Sequence, residues 1–210
     1  MKQERLTGLS DGIFAIVMTL LVLTLKVPEL PISEVANANL WQALSDIKIS
    51  FLSFVFSFAL LFTYWNAHHF IISVYAKNIT FPLVVRNAIF LIAIALVPFS
   101  THFLGIYSQT QIAVFIYGLH IILISAILFE MKRFVIVSHD IESILSYRDI
   151  RNGNIRLALP GVFSVLAILL SFVNTNISLS FFAFVVVFNL VPGSTDIVVW
   201  LLDGLKKREG

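Results

Sequence analysis

"RLTGLSDGIFAIVMTLLVLTL", residues 5 to 25, is apolar enough to lie in lipid, yet it carries Arg5 and Asp11 at its head. Its reading decides the fold. The whole chain resembles this stretch in composition: of 210 residues, 59% are hydrophobic and 12% charged, against roughly 25% charged in an ordinary soluble domain. With a mean hydropathy of +0.95, this is an integral membrane protein. Twenty phenylalanines and only six prolines, most of them at the ends of apolar runs, suit helices packed in hydrocarbon better than the short alternating strands of a porin-type barrel. The fold class is all-α. The absence of cysteine removes disulfides, thiolate metal sites and cysteine nucleophiles together.

Cutting the chain at polar breaks gives six apolar segments, approximately 7–25, 47–73, 82–104, 110–131, 155–174 and 177–202. Each is near the roughly 20 residues that span a bilayer. The first is too long, and its "SDG" too deeply embedded, for a cleaved signal peptide, so it is read as a transmembrane helix. "NTNI", residues 174 to 177, separates the last two spans and predicts a tight turn in a helical hairpin.

Lysines and arginines gather at cytoplasmic ends. Lys2, Arg5, Lys77, Arg86, Lys132, Arg133, Arg148, Arg151, Arg156, Lys206, Lys207 and Arg208 fall on one side of the six-span plan, and only Lys26 and Lys48 on the other. This bias of twelve to two places both termini in the cytoplasm and the connection from Lys26 to Asp46 outside. The net charge of +2 is then topology and not a nucleic-acid footprint. The polar stretch from Lys132 to Arg156 reads as a solvated extension of the fourth helix followed by a loop, and the chain as one six-helix transmembrane domain over 1–210.

An enzyme finds little support. There is no H-E-x-x-H, no G-x-S-x-G, no Gly-rich phosphate loop and no pair of carboxylates at helical spacing within one apolar segment. His68 and His69 are adjacent, so on a helix they point about 100° apart and cannot chelate one metal together. His120 stands alone in the fourth span and reads as a packed, hydrogen-bonded residue. No cofactor is expected.

The residues now carry a resemblance. "RLTGLSDG" at 5–12 is similar to the R-x-x-x-F-S-D signature that opens the first helix of the transmembrane-protein-175 family, the endolysosomal potassium channels and their prokaryotic relatives. Leu9 stands where the family usually has phenylalanine. "YWNAHHF" at 64–70 resembles the family's Trp and His pair, and "LVPFS" at 96–100 a Pro-Phe turn late in its third helix. Animal members carry two copies of the six-helix unit. This chain has one signature and no second "SDG", which resembles the single-repeat prokaryotic members and implies a homotetramer in a bacterial or archaeal plasma membrane.

The resemblance implies two faces for the first helix. With Ile16 set to zero and about 100° per residue, Thr19 falls at about −60°, Leu20 at about 40°, Leu23 near −20°, Gly12 near −40° and Asp11 near 220°. Members of the family lack the carbonyl filter of ordinary potassium channels, and this chain has no T-V-G-Y-G segment. Transferred by position, Ile16, Thr19 and Leu23 line the pore: four copies of Ile16 form an apolar constriction, and Thr19 adds a ring of hydroxyls. Asp11 points away. By the family's pattern its partners are Arg5, Ser10, Trp65 and His69, which together brace the first helix against its neighbours, while Arg5 read by itself is a snorkelling topology anchor. Without the resemblance the Ile-Leu stripe is ordinary packing, and Gly8 with Gly12 is either a close-packing pair or room at the inner mouth. The expected function is a leak-type potassium-selective channel with potassium as the permeant ion. The alternatives are a proton-conducting channel, drawing on His68, His69, His120 or Asp196, and a small secondary transporter, for which Pro98, Pro160 and Pro192 lack corresponding mates.

Overall fold

In a computed structural model of the chain, residues 2–76, 78–138 and 147–190 are described, and they contain eight α-helices. Helix α1 runs Gln3–Leu20 and tightens into a 3-10 turn over Leu21–Thr24. Helix α2, Asn37–Asp46, lies in the connection to α3, Lys48–His69, which continues as a π-helix over Phe70–Tyr75. Then follow α4 (Phe81–Ala95), α5 (Val97–Tyr107), α6 (Gln111–Ser138), α7 (Tyr147–Ser171) and α8 (Thr175–Leu190).

Five continuous helical stretches are long and apolar enough to cross a membrane: Gln3–Thr24, Lys48–Tyr75, Phe81–Tyr107, Gln111–Ser138 and Ile150–Ser171. They coincide with the first five segments read from the sequence. For the sixth, α8 is described to Leu190 and is apolar over Thr175–Phe184. The rest of that segment, with Pro192, Asp196 and the basic residues Lys206, Lys207 and Arg208, lies outside the described residues.

The third stretch is not one straight helix. The backbone turns at Leu96, whose N–H reaches Ala93 and Ile94, and α5 starts again with Pro98 in its first turn. Proline lacks the N–H that would bond the carbonyl of Ile94 four residues back, so the ladder must interrupt there. The connection from Lys26 to Asp46 is more ordered than a loop: α2 sits in it, with none of its residues buried. Its signal was present in "NLWQAL", where Leu40, Trp41 and Leu44 fall on one side of a helix.

The hairpin expected at 174–177 is formed, one turn earlier. Helix α7 ends at Ser171, and Asn174 caps α8, its Oδ1 accepting the N–H groups of Asn176 at 2.8 Å and Ile177 at 3.3 Å. Across the hairpin, the Ser178 hydroxyl donates to the carbonyl of Ala167 at 2.6 Å.

Helix α6 forms the spine, packed against α7, α4 and α5, while α3 packs on α5 and α8, and α1 on α4 and α3. The buried core joins Phe14, Leu61, Ile72, Phe90, Leu104, Tyr117 and Leu128. Two glycines set helix separations in it. A Cβ on Gly118 would come within 2.8 Å of Ile168 in α7, and one on Gly105 within 3.1 Å of the Ser50 backbone in α3. Lys132, counted above among solvated cytoplasmic cations, is instead buried at the α6–α7 crossing, where its Nζ donates to the Ile150 carbonyl at 3.2 Å. Room for it comes from Gly153, where any side chain would collide with that ammonium.

Candidate functional site

Helix α1 has one buried side and one bare side. Leu6, Ser10, Phe14, Val17 and Leu21 are buried within the protomer. Ile16 is 60% exposed and Leu23 71%, with Leu9, Leu20 and Thr19 also exposed. The candidate pore residues Ile16, Thr19 and Leu23 therefore share a face that none of the described residues covers. The 3-10 turn modifies the angular arithmetic: at about 120° per residue from Leu21 on, Leu23 moves round by about 60°, to the Leu9 and Leu20 side of the stripe. It stays on the bare face. The Thr19 hydroxyl donates to the Ile16 carbonyl at 2.8 Å, which leaves its exposed oxygen free to accept. Gly8 and Gly12 meet no atom within 4 Å of an added Cβ, so they do not serve close packing inside the protomer.

On the buried side, polar residues tie α1 to two neighbours. The indole N–H of Trp65 donates to Asp11 Oδ1 at 2.8 Å, and the His69 ring lies against Trp65 with centroids 5.9 Å apart. Ser10 is fully buried and donates to the Leu6 carbonyl at 2.9 Å. That hydroxyl has only one proton, so it must accept from Asn87 Nδ2 at 3.2 Å. The Asn87 amide is thereby oriented, its Oδ1 facing His68 Nε2 at 2.6 Å, and the imidazole must be the donor. His68 is further clamped by Phe90, stacked at 5.2 Å, and by Phe14 at 6.0 Å.

Of the residues expected around Asp11, Trp65 bonds it and His69 lies against Trp65, whereas Ser10 bonds Leu6 and Asn87 and Arg5 joins neither group. Six residues along a helix turn the side chain by about 120° net, so Arg5 and Asp11 leave different faces. Arg5 is exposed and makes no side-chain hydrogen bond or ion pair among the described residues. The aspartate is held by a neutral donor and not by a charge. Asn87 and His68 were missed as members of this network. A buried asparagine in the middle of "VVRNAIFLIAIA" was the available signal, since an amide in an apolar span needs partners.

A second polar group lies in the middle of the bundle. Ser57 Oγ is 2.8 Å from the Tyr117 hydroxyl and 2.7 Å from Thr101 Oγ1, and Tyr64 is 2.9 Å from Ser125 Oγ. His120 bridges α5 and α4: its Nε2 faces the Ala93 carbonyl at 2.9 Å, and its Nδ1 lies 2.7 Å from the Ser100 hydroxyl, which also reaches the Val97 carbonyl at 3.1 Å. Among the described residues, no group of three or more His, Cys, Asp and Glu side chains could hold a metal.

Residues 5–98 match the family model described as "Endosomal/lysosomal potassium channel TMEM175". A protein named potassium channel from Chryseobacterium sp. (strain P1-3) is 30% identical over 192 residues, 91% of this chain and 94% of that one. Another protein of that name, from Streptomyces collinus, is 28% identical over 202 residues, 91% of this chain and 94% of its own. A crystal structure of a lysosomal potassium-selective channel TMEM175 homolog from Chamaesiphon minutus superposes with a TM-score of 0.73 at 26% identity, covering 89% of this chain and 95% of that one. A family of ion channels, not of enzymes, therefore accounts for the helical plan and nearly the full length. The chain belongs to the TMEM175 family.

Proposed function

We propose that this chain is a potassium channel of the cell membrane, formed by four copies around an axis lined by α1, with both termini in the cytoplasm. The bare face of α1 carries the reading. On this face of a helix held by hydrogen bonds on its other side, an exposed Thr19 and the open backbone at Gly8 and Gly12 accompany the uncovered Ile16 and Leu23, which suits a wall shared with copies of itself around water and ions better than a lipid boundary. In that assembly the Ile16 and Leu23 rings exclude water and form the constriction, because an ion that enters must shed hydration with no oxygen to replace it. Thr19 supplies hydroxyl oxygens between them, and permeant potassium needs no cofactor. The relatives named as potassium channels, and the crystal structure of a potassium-selective homolog, supply the ion.

Purified protein in liposomes loaded with KCl tests this directly. With an outward potassium gradient and a protonophore, vesicles should acidify through compensating proton entry, and valinomycin should add little. No acidification until valinomycin is present would refute the channel. Acidification without protonophore would show that protons permeate as well.

A further inference from the structure

The residue left over by the brace is Arg5, and its position has a consequence for conduction. Counting back from Ile16 at about 100° per residue, Arg5 falls near −20°, on the line of the proposed pore stripe and about 16 Å below Ile16. Its guanidinium is exposed, and among the described residues it makes no side-chain hydrogen bond or ion pair. By contrast, Asp11 is bonded by Trp65 and Arg86 by Glu130 at 2.9 Å. Between Arg5 and Ile16 the same face carries Gly8 and Gly12, which have open space around them, so no side chain from those positions screens the guanidinium. Lys2 is also exposed, and Glu4 leaves the helix about 100° away from Arg5. A cation in the first turn of a helix sits against the positive end of the macrodipole, which local stability disfavours.

We infer that Arg5 forms a ring of positive charge at the cytoplasmic mouth of the assembled pore and makes conduction asymmetric, resting on the pore reading above. Potassium entering from the cytoplasm meets the ring before the constriction, so the ring lowers the local cation concentration that feeds outward current. Potassium from outside meets it only after the apolar rings are behind it. The channel therefore rectifies inwardly at low ionic strength. The effect fades as salt shortens the screening length from about 10 Å at 0.1 M to about 3 Å at 1 M.

Excised patches from cells expressing the full chain, in symmetric KCl from 20 mM to 1 M, test the inference. Arg5→Gln should raise outward current about two- to fivefold at the lowest salt, abolish rectification, and match the wild type at 1 M. Arg5→Lys keeps the charge and should keep the rectification. Wild-type rectification that is absent, or that does not weaken with salt, overturns the inference without recourse to any variant that fails to assemble. So does an Arg5→Lys channel that behaves like Arg5→Gln, since the guanidinium would then be acting as a specific structural partner. Failure of the pore reading itself looks different: no potassium current at any salt, or an Ile16→Thr channel identical to wild type.

Discussion

Asn87 offers the sharpest test of how α1 is held. Replacing it with Leu, of similar volume, removes two hydrogen bonds but leaves unequal debts. Ser10 keeps its own donor bond to Leu6 and loses only a contact in which it accepted. His68, 1% exposed, keeps an N–H that has lost its acceptor at 2.6 Å and is packed against Phe90. An orphaned buried donor costs about 1–3 kcal/mol, so Asn87→Leu should destabilise by about 2 kcal/mol, nearly all through His68. His68→Phe alone should cost less, because the Asn87 carbonyl it strands still leaves the amide bonded to Ser10. Removing both polar partners together should be closer to neutral than the single Asn87 change, because no buried group is then left wanting. A double-mutant cycle on detergent-solubilised protein, with reversible denaturation followed by Trp fluorescence or steric trapping, measures the three differences. If the double variant loses as much as the two singles summed, the coupling between Asn87 and His68 is absent and the amide orientation deduced here is wrong.

Trp65→Phe should remove the donor from the Asp11 carboxylate and lower thermal stability by about 1.5–3 kcal/mol, with Asp11→Asn recovering part of it because an amide is less costly to leave unpaired. Thermal midpoints in one detergent compare the two; equal stability of Trp65→Phe and wild type would remove the brace. Gly118→Ala should cost about 1–3 kcal/mol by forcing Ile168 off its rotamer, whereas Gly8→Ala and Gly12→Ala, which meet no atom, should leave protomer stability unchanged. Val17 is 4% exposed and Ile16 60%, so threonine at these adjacent positions separates packing from pore. Ile16→Thr should raise potassium flux in liposomes, while Val17→Thr, whose hydroxyl can bond back along its own helix as Ser10 does, should alter stability by under about 2 kcal/mol and leave flux as it was. Equal flux from both would show that α1 does not present Ile16 to the ion.

Composition and run length carried most of the fold, because a spanning helix must satisfy its own backbone and needs about 20 apolar residues to do so. What they could not carry is informative. The break at Leu96 depended on a single proline whose effect is local, and α2 is too short to register against the long spans around it. The Lys132 ammonium looked like a solvated anchor from its neighbours in sequence, but Gly153, 21 residues on, makes a place for it inside the protein. In the candidate site the sequence distinguished the polar residues but not their pairing. Arg5 and Asp11 read as a charge pair because opposite charges near each other in a chain usually meet, and helical rotation separates them. Asn87 escaped notice because its partners lie 19 and 77 residues away.

The two sides of α1 differ in what can be inferred from them. In water, the uncovered Ile16, Leu20 and Leu23 would by themselves argue for a partner, since exposed apolar area of that kind must be covered. In a membrane they do not, because lipid tails are as apolar as leucine and packing between helices has to be driven otherwise. Other chain segments expose similar residues, Ile92 and Ile112 among them, and nothing distinguishes those from surfaces facing lipid. What separates the α1 face is its company: Thr19 with an exposed oxygen free to accept, two glycines that pack against none of the described residues, and a cation at its foot. A polar oxygen and open backbone are costly to present to hydrocarbon and useful beside water or ions. The apolar residues on this face acquire their meaning from the polar ones among them, and variants at Thr19, Gly8 and Gly12 therefore discriminate a pore from a lipid boundary better than any change of one aliphatic residue for another.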